Sequence, residues 1–310
     1  MPPTPSRDVE AELEALDARL NELLPPRYQH CYNDVPPTSM GSAKLKYDED
    51  GRVAWGEIWT TYCDLAMAGG PPHRGKLLEP PPAEEVESDP ARHAEVVAEL
   101  DRAIGLTTGA ATVPGYAPGW LGIPCAAADE AAWLQFAVTA ENVSARRRGT
   151  TLQLPAGPGF RPEKEIKNVV VALSKSLHYW DGHLTDAQQK LAEHESWDPA
   201  TAAEAAADPA AHAEATAAIE DAARAVGLPI SPRRYAGWIG VETADEEAAV
   251  WLLRAILVGR VPARREEEVL YLPVVAGRGP RVAEVFRDAW GLWTAHSNRR
   301  PAWRPSGRRG

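Results

Sequence analysis

The chain has 310 residues, 44% of them hydrophobic and 25% charged, with a formal net charge of −11, the make-up of a globular protein large enough for two domains or one extended core. The negative charge argues against a duplex nucleic acid as partner, since such binding draws on a basic face that neutralises phosphates. Cys31, Cys63 and Cys125 are too few and too far apart for a disulfide framework or a zinc motif, which points to a reducing, cytoplasmic setting.

The N-terminus holds no apolar signal core, and the most apolar stretch, Trp251 to Val258, is short and broken by Arg254, so no membrane partner is expected. Val9, Leu13, Leu16, Leu20 and Leu23 alternate in steps of four and three, which predicts an amphipathic helix. Its stripe would either pack on the rest of the chain or form the seam of a homodimer. Pro25-Pro26 ends it, and a stretch with Tyr28, His30 and Tyr32 follows. Ala43 to Tyr47 and Arg52 to Trp55 flank Asp48-Glu49-Asp50-Gly51 as a hairpin would. Trp55, Ile58, Trp59, Tyr62, Leu65 and Ala66 have helical spacing up to the stop at Gly69-Gly70.

The loop Pro71-Pro72-His73-Arg74-Gly75-Lys76 sets a histidine and two cations on a stiff frame. It reads either as a solvated turn or as a catalytic loop with His73 as acid/base and Arg74 as anion holder, joined by Lys44 on the hairpin. The run from Pro80 to Glu87 reads as an acidic linker.

Beyond the linker the text repeats. Gly119-Trp120-Leu121-Gly122-Ile123 returns as Gly237-Trp238-Ile239-Gly240-Val241, and Ala145-Arg146-Arg147 as Ala263-Arg264-Arg265, both at an offset of 118 residues. A gap-free match in one frame over about 25 residues indicates duplication of one unit. Each copy opens with Asp-Pro-Ala before a helix, at Asp89 and Asp208, and reads α-β-α-β-α. The fold class is therefore α/β or α+β, with the duplicated units in a pseudo-twofold body behind the N-terminal helix, hairpin and helix. The expected divisions are an N-terminal region at 1–87, repeats at 88–183 and 208–297, an extra helix or linker at 184–207, and a basic tail at 298–310.

Two constellations could carry chemistry. The pairs Arg146/Arg147 and Arg264/Arg265 could grip carboxylates or phosphates bidentately, although exposed ion pairs with acidic neighbours such as Glu266, Glu267 and Glu268 are the plainer reading. Trp180-x-x-His183 and Trp293-x-x-His296 could bring two histidines to one metal, although helix capping by His183, His296 and His178 accounts for them more simply. Trp55 and Trp59 could line a pocket for a planar ligand with Tyr28 and Tyr32. Cys125 sits before a helix where a thiolate could form, but the matched residue is Thr243, and a small buried side chain is the simpler role.

No phosphate-loop, dinucleotide, serine-elbow or zinc-protease motif is present, and no cofactor is implied. The residues thus point to an enzyme acting on a small anionic or aromatic metabolite between the N-terminal loops and the duplicated body. The alternative is a binding or assembly module that oligomerises through its first helix.

Overall fold

The computed structural model describes residues 8–25, 44–58, 64–190 and 197–298. It is a mixed helix-and-sheet structure of the α+β kind, with two small antiparallel sheets. In the first half α2 (Ala83–Ser88) and α3 (Pro90–Thr108) precede β1 (Val113–Pro114), β2 (Trp120–Pro124), α4 (Ala128–Ala140), β3 (Arg146–Arg148), β4 (Thr151–Pro155) and α5 (Lys167–His183). After α6 (Asp186–Lys190) and α7 (Ala202–Ala207), the second half has α8 (Pro209–Ala225), β5 (Trp238–Glu242), α9 (Glu246–Val258), β6 (Arg264–Glu266), β7 (Val269–Pro273) and α10 (Gly279–Ser297). The sheets run β1-β2-β4-β3 and β5-β7-β6.

Local chemistry explains why the halves look alike. Asp89 and Asp208 each accept the N–H of the residue three positions on, at 3.1 Å, and each is followed by a proline at the first helical position, so α3 and α8 start the same way. Trp120 pairs with Pro155 and Arg146 with Gln153, and the same register sets Trp238 against Pro273 and Arg264 against Tyr271. Helices α4 and α9 are apolar nearly all round, as helices enclosed on every side must be. Each packs between its own sheet and a long helix, α5 or α10, which α3 or α8 covers in turn.

The first helix, α1 (Val9–Leu23), is amphipathic as its spacing predicts, with Asp8 as N-cap. It lies on α9 and α10 with Leu16, Leu20 and Leu23 buried in the common core. The Trp133 indole donates to the Leu23 carbonyl at 3.0 Å. The stripe that a dimer seam would need is therefore used within the chain.

Several local expectations change. Arg146–Arg148 and Arg264–Glu266, read above only as arginine pairs, are edge strands that pair with β4 and β7. Of the helix expected from Trp55 to Ala66, residues 59–63 lie outside the described residues, and the described parts hold 3₁₀ turns at Trp55–Glu57 and Ala66–Ala68. The hairpin is reduced to one bridge, Tyr47 to Val53. Residues 83–87 of the expected linker lie in helix α2. Among the described residues no helix is long and apolar enough to cross a membrane.

Candidate functional site

Two irregular segments cross the junction between the halves. The first, residues 65–78, buries Leu65, Met67 and Leu78 in the common core, and buried polar groups from both halves hold its backbone. Glu141 accepts the N–H groups of Ala66 and His73 at 2.9 and 2.8 Å and pairs with Lys175 at 2.7 Å. Asn142 donates to the carbonyls of Arg74 and Arg265, both at 2.8 Å. From the second half, Arg254 donates to the Ala68 carbonyl, Arg265 to that of Gly70, and Glu266 accepts the Leu77 N–H at 3.1 Å. A buried charge is tolerated when its bonds are met, and backbone groups of this segment meet them. Gly69 turns at φ +104°, and a Cβ there would overlap the Arg254 guanidinium.

The second segment, residues 197–204, is held in a related way. Gln135 donates to the Trp197 carbonyl at 2.9 Å, and Arg148 pairs with Asp198. Ala200 donates to the Val274 carbonyl at 3.0 Å. Arg146, its side chain only 3% exposed, donates to Pro199 O, to the Tyr116 hydroxyl and to both carboxylate oxygens of Glu204. Glu204 also closes a capping box with Thr201 at the start of α7. The Arg146 ion pair outweighs burial and draws the Glu204 carboxyl down to about 2.

The glycines of the repeated Gly-Trp frame let these segments come close. A Cβ on Gly119 would stand 3.0 Å from Pro81, and one on Gly237 2.6 Å from the Ala200 carbonyl. Between residues 77–84, where the first strap runs on to α2, and residues 199–204 of the second opens a cleft of about 660 Å³. Its walls include Trp120, Trp238 and Tyr116 with the prolines 80–82, 118 and 199, and its charged groups are Arg146, Glu204, Glu79 and Glu84. Glu79 and Glu84 have no hydrogen-bond or ion-pair partner among the described residues. Burial first, and the Glu266 charge after it, push the Glu79 carboxyl up against the pull of Arg264.

The residues singled out in the sequence fall into different places. Arg146 lines the cleft, bound to Glu204. Arg147 donates to the Ala128 carbonyl at 3.2 Å. Arg264 is fully buried, its guanidinium stacked 3.9 Å from the Tyr271 ring centre, 4.5 Å from Tyr235 and 5.1 Å from Trp238. It reaches Glu266 at 2.8 Å and Asn142 at 3.0 Å. Arg265 is buried too and binds Glu246 at 2.6 Å. The expected solvated ion pairs are thus, at Arg146, Arg264 and Arg265, buried guanidinium groups that hold the junction together. Burial would raise the Glu266 carboxyl, but Arg264 and the hydrogen bonds from Tyr235, Arg264 and Arg233 leave it lowered.

His73 is a largely buried strap residue. Burial first, then Lys175 and Lys167, lower its ring to about 3, so it is neutral near pH 7 and holds no proton to give there. Arg74 turns back to the Lys76 carbonyl at 2.8 Å. Lys44 is exposed, and neither it, His73 nor Arg74 lines the cleft. Trp59, Tyr28, His30, Tyr32, Cys31, Cys63 and residues 299–310 of the basic tail lie outside the described residues. Trp55 is buried and donates to Glu99 at 2.7 Å, a core position. Burial, followed by the Glu130 charge, pushes the Cys125 thiol up to about 12, so it stays protonated. His183 faces His178, whereas His296 lies against Trp251 and Trp293. No group of three or more metal-binding side chains occurs among the described residues.

The cleft residues Glu79, Tyr116 and Glu204 carry no motif and were not singled out from the sequence. One signal was present: Pro81 and Pro199 stand at the same offset, 118 residues, as Trp120 and Trp238, so the repeated frame already included the two straps. Comparison with known proteins adds no family to this geometry, because no protein-family model, no curated protein and no solved structure matches the chain.

Proposed function

We propose that the cleft between the straps binds a small planar organic molecule that bears a positively charged or hydrogen-bond-donating group. The observation that carries this reading is the shared lining of one 660 Å³ cavity by Trp120, Trp238 and Tyr116 with two unpaired carboxylates, Glu79 and Glu84. Its volume suits a metabolite-sized ligand, and its walls offer aromatic faces with few polar groups, as small-molecule sites do. This proposed site lies beside residues 77–84, past the His73 loop from which a site was expected. Of the two ligand chemistries anticipated, aromatic and anionic, the cleft favours the first. Arg146 is neutralised by Glu204, so the remaining field is negative and an anion would meet no free cation.

We read the two halves as copies of one unit about an approximate twofold axis, with the cleft at their junction. The equal strand registers, the two Asp-Pro caps and the two proline straps support this. A cytoplasmic setting accords with the free thiol of Cys125.

If binding leads to chemistry, Glu79 is the acid/base candidate. Burial pushes its carboxyl up while the Arg146 pair draws that of Glu204 down, and two carboxyl groups pushed apart on one cleft are what such chemistry uses. The test is a thermal-shift and calorimetric screen of planar ammonium compounds against planar carboxylates of matched size. The reading expects the ammonium set to bind wild type and to lose binding in Trp120→Ala and Trp238→Ala. Binding of carboxylates alone would overturn the charge assignment, and binding unaffected by both tryptophan variants would overturn the site. Conversion of the bound ligand by wild type, lost in Glu79→Gln, would mark an enzyme, and binding without conversion by wild type the non-catalytic binding module.

A further inference from the structure

The end of α5 brings two imidazoles together. His178 and His183 are five residues apart. On a regular α-helix five steps of about 100° leave two side chains about 140° apart, on different faces. Here the last turn is wider. Leu184 donates its N–H to the Tyr179 carbonyl at 3.1 Å, a bond that spans five residues and spreads the final turn over one more residue than usual. That extra residue returns His183 to the face of His178, and their Nε2 atoms meet at 3.2 Å. The rings stand edge to face with centres 4.9 Å apart, and the Tyr179 ring lies 5.0 Å from His183 and 5.7 Å from His178.

We propose that His178 and His183 are the protein ligands of a site for one divalent transition-metal ion of the imidazole-preferring class, Zn²⁺, Ni²⁺ or Cu²⁺. The geometry is that of a chelating pair. With each nitrogen about 2.1 Å from a metal, as imidazole ligands are, the 3.2 Å separation sets an N–metal–N angle of about 99°, between an octahedral right angle and the roughly 109° of a tetrahedron. A direct hydrogen bond uses one N–H and one lone pair, whereas a metal would use the lone pairs of both Nε2 atoms. The surroundings favour a cation. The pair sits at the C-terminal, carbonyl end of α5, and the Asp181 carboxylate on the same turn acts on His178. No third His, Cys, Asp or Glu completes a cluster among the described residues, so water or an outside ligand fills the other positions.

The test uses the full chain stripped of metal and titrated calorimetrically with ZnCl₂ and NiCl₂, beside electron paramagnetic resonance of the Cu²⁺ form. The expected result is one equivalent bound. His178→Ala and His183→Ala should each weaken binding at least about tenfold, since loss of even an outer-shell partner costs that much. The Cu²⁺ spectrum should show splitting from two imidazole nitrogens. It needs no variant and so decides even if a substitution disturbs α5. Affinity unchanged in both variants, no binding by wild type, or a wild-type Cu²⁺ spectrum without two imidazole nitrogens would overturn the assignment.

Discussion

Lys175 and Glu141, 1% and 0% exposed, form an ion pair of 2.7 Å whose carboxylate also receives the backbone of residues 66 and 73. The pair thus ties α5 and the end of α4 to the first strap. Lys175→Met should destabilise the fold by about 3–5 kcal/mol, because it leaves a carboxylate buried without its counter-charge. Denaturant unfolding measures this. Adding Glu141→Leu should not restore stability, since the N–H groups of Ala66 and His73 then lose their acceptor. Full recovery in the double variant would show that the carboxylate does not hold the strap.

His73 should make stability fall as acid is added. Its folded-state value of about 3 lies below the ordinary 6.5, so the unfolded chain binds the proton first. The contribution is complete above pH 6.5 and is lost as the pH drops toward 3. Between about pH 6.5 and pH 5 the loss amounts to about 2 kcal/mol. Urea midpoints for wild type and His73→Asn should converge over that interval. A parallel pH dependence of the two proteins would place the acid sensitivity elsewhere.

Glu204 acts lower on the pH scale. Its carboxyl is depressed from 4.5 to about 2, so its stabilisation is present above pH 4.5 and disappears as the pH falls through 2. The carboxylate is half exposed and solvent screens it, so the effect is modest. Wild type should exceed Glu204→Gln in stability near neutrality and approach it in this acid range. Protease cleavage around residues 197–204 should rise in the variant already at neutral pH. Equal cleavage would mean that Arg146 holds the strap through Pro199 and Tyr116 alone.

Glu267 is the place where a change should help. It sits at φ +55° in the β6–β7 turn, where the corresponding position of the first half is Gly149 at φ +61°. A left-handed conformation costs a residue with a side chain about 1–2 kcal/mol, offset in part by the greater unfolded-state freedom of glycine. Glu267→Gly should therefore raise stability by about 0.5–1 kcal/mol, and Glu267→Val should lower it. A glycine variant less stable than wild type in thermal unfolding would show that the turn is not strained.

Much of the fold was legible because it rests on local and periodic features. The leucine spacing of α1, the Asp-Pro starts of α3 and α8, and the Gly-Trp frames of β2 and β5 each follow from neighbours within a few residues. The short strands at Arg146 and Arg264 were missed because three residues give no period to read, and their pairing is set by β4 and β7.

The sequence by itself determined the mixture of helices and strands, the acidic balance and the residue types at the junction. Tertiary structure alone decided what those residues do. Arg265 reaches Gly70 across 195 positions, Glu266 reaches Leu77 across 189, and Arg146 reaches Glu204 across 58. A guanidinium or carboxylate has the same covalent structure in water as in a core, and only the folded path of the chain brings the distant partner that makes its burial tolerable.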